Sequence, residues 1–148
     1  MFSFIFIILC AMIFVFDLKK RIIPNILLLC IFLLNIVGFI IEFDSVFLLD
    51  SVIGLVFALF LFLVPKFLRM GIGWGDVKYS VVLGFYLGLT DYIYGMLVAF
   101  IFVFIFFIIR KIIMKKDIKD FPLPLGSFMS AGVIFVYVSG LILQTLRL

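Results

Sequence analysis

The stretch from Ile22 to Ile41 contains no Asp, Glu, Lys or Arg. About 20 apolar residues is the length a helix needs to cross the hydrocarbon core of a bilayer. Comparable apolar runs recur at Met1 to Phe16, at about Ser45 to Val64, at Tyr92 to Ile109 and at about Leu123 to Leu146. A soluble domain is roughly half apolar and roughly a quarter charged; this chain is 68% apolar and 14% charged. Its polar residues are too few to cover an apolar core. That excludes a soluble enzyme, a disordered tail and a secreted disulfide scaffold, and leaves an all-α, polytopic membrane protein. The chain has 148 residues, and six helices of about 20 residues would use roughly 120 of them. The reading is therefore one integral-membrane domain over 1–148, with its chemistry in the spans or their short loops.

The first run stops at Asp17-Leu18-Lys19-Lys20-Arg21. It lacks a basic n-region and a small-residue cleavage site, so it reads as a retained span and not a removed signal peptide. The second run stops at Glu42-Phe43-Asp44. The third carries Asp50 near its start. A loop from Pro65 to Lys78 contains Gly71-Ile72-Gly73-Trp74-Gly75-Asp76. The fourth span, about Tyr79 to Leu89, is short, and the Gly-rich segment is positioned to lengthen it. Thr90-Asp91 reads as the next turn. A basic connection, Arg110 to Pro122, precedes the sixth span. No period-two alternation is present, and the runs are too long for barrel strands. Gly84 and Gly88 form a GxxxG pair, a device for close helix packing.

Eleven of the twelve Lys and Arg residues fall in the first, third and fifth connections, and none in the second or fourth. Basic residues favour the cytoplasm, so the odd connections are expected there and both termini outside. The net charge of +4 then reports membrane orientation, and nucleic acid is not an expected partner. The chain has no His, so neither a His general base nor a His-ligated metal is available. Cys10 and Cys30 form no CxxC pair, which leaves a thiolate zinc site unsupported. They read as small buried hydrophobes, against a disulfide or a lipidated Cys. No cofactor is implied.

Among the acids, Glu42, Asp44, Asp50 and Asp91 fall towards the outer face. Asp17, Asp76, Asp117 and Asp120 fall at the cytoplasmic face. Asp117 and Asp120 alternate with lysines and read as a solvated loop. Asp17 ends an uncharged run of sixteen residues and Asp76 opens the fourth span, so both lie at one depth. Each fits a helix end or an ion pair, and each is also a functional candidate as a boundary acid. Gly73 and Gly75 shift the balance, because glycine permits positive φ and close approach of another chain. Two carboxylates brought into contact do not both ionise cheaply; one keeps a proton while the other polarises a water. That chemistry requires neither His nor metal.

These segments resemble the type IV prepilin peptidase family, aspartic membrane proteases of the GxGD type that include archaeal preflagellin peptidases. Asp17-Leu18-Lys19-Lys20-Arg21-Ile22-Ile23-Pro24-Asn25 is similar to the family's first catalytic segment. Gly73-Trp74-Gly75-Asp76-Val77-Lys78 is similar to its GxGDxK segment. Pro124-Leu125-Gly126-Ser127-Phe128 resembles the entry to the last helix, departing from the family pattern at Leu125 and Ser127. The resemblance implies Asp17 and Asp76 as the catalytic pair, with Gly73, Gly75, Lys78, Pro24 and Asn25 near the substrate. Its implied substrates are prepilin, pseudopilin or preflagellin-like proteins, whose basic leader would be cut at the cytoplasmic boundary of the inner membrane.

Larger bacterial members resemble this chain plus an N-terminal CxxC-bearing extension associated with N-methylation. The present residues therefore look like the short, peptidase-only type, without methyltransferase activity. Other readings stay open residue by residue. Pro24 and Asn25 fit a helix start. Lys78, two residues from Asp76, is placed to snorkel to the interface or to hold a substrate carboxylate. Trp74 reads as an interfacial anchor. At the level of the whole protein the alternatives are a presenilin-like GxGD protease, and a non-enzymatic transport or assembly subunit using the acids for cations.

Overall fold

The computed structural model describes residues 2–42, 45–68, 71–113 and 123–146. Among these, the regular elements are five helices: α1 (Phe2–Lys20), α2 (Asn25–Glu42), α3 (Ser45–Phe67), α4 (Trp74–Ile113) and α5 (Leu125–Leu146). α1, α3, α4 and α5 are long and apolar enough to cross a membrane; α2 is apolar over a shorter stretch, Asn25–Ile41. The outward faces are apolar too, with Ile26 and Phe104 exposed by 74% and 66%. That is the surface of a protein whose solvent is lipid. The loop holding Asp117 and Asp120 lies outside the described residues, as do Arg69 and Arg147.

Six separate helices are expected from the apolar runs, and five are found, because the fourth and fifth runs join in the 40-residue α4. That element is broken at Gly88, whose φ of 74° and ψ of 179° are not helical. Before the break α4 runs parallel to α5: the Tyr79 hydroxyl meets Ser130, and the Tyr86 ring meets Tyr137. After it the direction is opposite, with Gly95 against Val133 and Phe106 against Phe128. The chain therefore doubles back at Gly88, and Ser80 reaches Tyr92 across the reversal, hydroxyl to hydroxyl at 2.6 Å. The expected turn at Thr90-Asp91 is displaced by two residues. Only a residue tolerant of positive φ sits comfortably at the break, and residues 89–91 start the returning helix instead. Asp50 of α3 supports that restart: its Oδ1 accepts the Leu89 N–H at 3.3 Å, one of the donors a new helix leaves unpaired.

α4 is the central element, packed by α3 on one side and α5 on the other, with α2 also against it; α1 packs on α5 and α2. The α3–α4 contact depends on small residues. A Cβ on Gly84 would overlap the Gly54 backbone and the Ala58 methyl, and a Cβ on Gly54 would overlap the backbone at Gly84 and Gly88. Gly84 of the GxxxG pair thus serves packing, the route by which helices associate in lipid. On α1 the buried residues Phe6, Cys10, Ile13 and Asp17 recur at helical spacing, so Asp17 continues the stripe that faces the bundle.

A carboxylate pair at one end of the bundle

Asp17 lies in the last turn of α1, and the helix runs on to Lys20. Its carboxylate is buried, 4% exposed. Arg21, at φ 53°, closes the helix, donating its N–H to the Asp17 carbonyl at 2.9 Å. Asp76 sits at the other candidate position, the first turn of α4. Gly73 is the N-cap residue there, since its carbonyl accepts the Val77 N–H. The Asp76 carboxylate reaches back to the Gly73 N–H at 3.2 Å, as the third-position acid of a capping box does. The Gly126 backbone amide, Asp17 and Lys66 also act on this carboxylate.

The two acids meet at the start of α5. Pro124 is the N-cap of that helix, its carbonyl accepting the Phe128 N–H. A helix start leaves its first N–H groups without intrahelical partners, and an N-cap Ser, Thr, Asp or Asn normally satisfies one with its side chain. Proline has no such side chain. Asp17 takes that role from α1: its Oδ2 accepts the Ser127 N–H at 2.7 Å and the Ser127 hydroxyl at 2.9 Å. Asp76, from α4, faces the preceding amide, that of Gly126. Carboxylates from two other helices thus gather at one helix start, the end of a helix where partial positive charge collects. Ser127 Oγ also lies 3.2 Å from the Phe14 carbonyl, tying α5 to α1.

The glycines owe their places to close approach. Positive φ among the described glycines falls at Gly71 and Gly88, not at Gly73 or Gly75. A Cβ on Gly73 would sit 3.0 Å from the Asp76 Oδ2, crowding the capping carboxylate. A Cβ on Gly75 would meet the Ile23 side chain at ordinary contact, 3.7–3.8 Å, whereas one on Gly126 would press Ile23 Cδ1 at 2.8 Å and Asp17 at 3.1 Å. Ile23 is therefore the floor between the two segments. Pro24 and Asn25 follow it at the start of α2, where the Pro24 carbonyl accepts the Leu27 N–H at 3.1 Å. Asn25 and Lys78 are exposed beside the site.

Two contributors stand out in the structure that the motifs did not single out. Lys66 of α3 donates to the Ile72 carbonyl, lies 5.2 Å from the centre of the Trp74 ring and acts on Asp76. In sequence it is only one basic residue of a connection. Ser127 is the other; it stands at a departure from the family pattern. Its signal was a helix start lacking a side-chain cap of its own. A carboxylate pair sharing a helix start, with water at hand, has the parts for acid–base hydrolysis.

Neither the curated proteins nor the solved structures give a match to this chain. The type IV leader peptidase family matches residues 4–109, which include Asp17 and Asp76 and end before α5. On that match over most of its length, the chain belongs to the type IV leader peptidase family.

Proposed function

We propose that this protein is an aspartic endopeptidase of the inner membrane that removes the basic leader from prepilin, pseudopilin or preflagellin-like substrates. The observation that carries the reading is the convergence of Asp17 and Asp76, from different helices, on the first turn of α5. In this mechanism one carboxylate takes a proton from water as the oxygen attacks the scissile carbonyl carbon. The other, protonated, gives its proton to the carbonyl oxygen. Collapse of the tetrahedral species breaks the C–N bond, and the amine leaves with a proton from the pair. The Gly75 backbone, beside the Gly73 cap, is offered to an extended substrate, and Lys78, exposed beside the acids, is a group for its charged or carbonyl oxygens.

The proposed orientation places the Asp17 and Asp76 end at the cytoplasmic face, with both termini outside. The two arms of α4 then act as separate spans, giving six crossings. A substrate whose apolar helix lies in the bilayer and whose basic leader stays in the cytoplasm would present its scissile bond at that level. The test is co-expression with a candidate prepilin. A shift to the size of the mature protein is expected, and it should vanish in Asp17→Asn and in Asp76→Asn. Unchanged substrate with the intact enzyme, across prepilin, pseudopilin and preflagellin-like candidates, would count against the reading.

A further inference from the structure

Beneath the two acids runs a buried line of polar side chains that the hydrolytic scheme does not use. Ser130 of α5 donates its hydroxyl proton to the Gly126 carbonyl at 2.8 Å. A serine hydroxyl has one proton, so the 2.8 Å contact between Tyr79 Oη and Ser130 Oγ has Tyr79 as donor. The Cys10 thiol lies beside the Tyr79 hydroxyl. Cys10, Tyr79 and Ser130 are fully buried, each 0% exposed, and come from α1, α4 and α5. The two donors point one way, from Tyr79 to Ser130 to the Gly126 carbonyl.

The end of the line gives it meaning. A serine bonding the carbonyl four residues back is common in helices. Here, however, the Gly126 carbonyl belongs to the same peptide group as the Ser127 N–H, the donor 2.7 Å from Asp17 Oδ2. A bond received at a peptide oxygen polarises that peptide and makes its N–H a stronger donor, and successive bonds reinforce one another in a low-dielectric interior. We propose that Tyr79 and Ser130 are positioning residues for Asp17, forming a one-way hydrogen-bond relay that strengthens and aims the Ser127 N–H at its carboxylate. The relay touches no substrate; it fixes the α5 start on which both acids rest. Its catalytic half deepens the peptidase reading above and rests on it, whereas its structural half does not.

The test separates the two halves. Protein labelled with ¹⁵N only at serine, purified in detergent, gives an amide resonance for Ser127 that is assigned by its loss in Ser127→Ala. The relay predicts that this proton moves upfield in a graded series: less in Tyr79→Phe, more in Ser130→Ala. Ser130→Thr, which keeps the hydroxyl, should restore the wild-type position. In cleavage of a prepilin substrate, Tyr79→Phe and Ser130→Ala should lower kcat by about three- to tenfold, one hydrogen bond's worth, with KM unchanged and Ser130→Thr near normal. An unmoved Ser127 resonance in folded Tyr79→Phe and Ser130→Ala would overturn the relay even if the enzyme cleaves. A graded resonance in a protein that cleaves no substrate would uphold the relay and remove the peptidase reading instead. Tyr79→Phe adds no atoms and leaves Ser130 its bond to the Gly126 carbonyl, so the series survives if Ser130→Ala does not fold.

Discussion

At Gly126, a single methyl group separates two outcomes. An alanine Cβ there would meet Asp17 at 3.1 Å and Ile23 Cδ1 at 2.8 Å. The isoleucine end can rotate away, but the carboxylate is held by two bonds to Ser127. Gly126→Ala is therefore expected to insert and fold while losing most cleavage. Gly75→Ala, whose Cβ finds only ordinary contact with Ile23, should keep the acids in place and tolerate heating as well as the parent. Measuring cleavage and detergent-solubilised Tm for the two variants checks this contrast. Equal activity in both would mean that the α5 start does not set the position of Asp17. The residue scale also shows where the motifs were readable. An acid closing a charge-free run marks Asp17, and an acid after Gly-Trp-Gly marks Asp76. Ser127 escaped because its partner is 110 residues away, and no local pattern encodes a cap delivered by another helix.

Among the elements, α4 tests the packing argument. Its approach to α3 leaves no room for a Cβ at Gly84 or Gly54, because the opposing atoms include backbone, which does not move aside. Gly84→Ala is expected to cost about 1–3 kcal/mol, the usual range for overpacking, read as a loss of folded protein in a detergent denaturation series. Gly88→Ala should be worse, since it adds a clash with the Asp50 carboxylate at a φ of 74°. No loss of stability in either would contradict the close α3–α4 contact. Helix content was plain from the apolar runs, and the starts of α2 and α5 follow Pro24 and Pro124 as their sequences suggest. The reversal was harder to place. Thr90-Asp91 has the polar look of a turn, yet an acid is equally at home in the first turn of a helix. The backbone demand of a tight reversal falls on Gly88 instead, a residue that sequence pattern alone marks as packing.

At the scale of the whole molecule, charge and fold bear separately on the proposed topology. The acids converge at the end of the bundle that also holds Lys19, Lys20, Lys66 and Lys78, while Ser3 bonds Tyr137 and Asp50 bonds Leu89 at the opposite end. Reporters fused after Glu42 and after Asp91 are expected to read as external, and one after Lys116 as cytoplasmic. A cytoplasmic signal after Asp91 would mean that the arms of α4 do not cross separately. The proposed hydrolysis needs one carboxyl as acid and one as base, so the cleavage rate should be bell-shaped in pH. A rate that only rises or only falls across the accessible range would speak for a single working carboxylate.

The central claim is that Asp17 and Asp76 act as one hydrolytic unit, and cleavage of a prepilin by purified variants at matched protein level tests it most directly. Asparagine preserves shape and removes the acid chemistry. Asp17→Asn and Asp76→Asn should each fall by about a hundredfold or more, the double variant should be no worse than either single one, and Asp117→Asn and Asp120→Asn should keep most activity. Near-normal cleavage by purified Asp17→Asn would contradict the account.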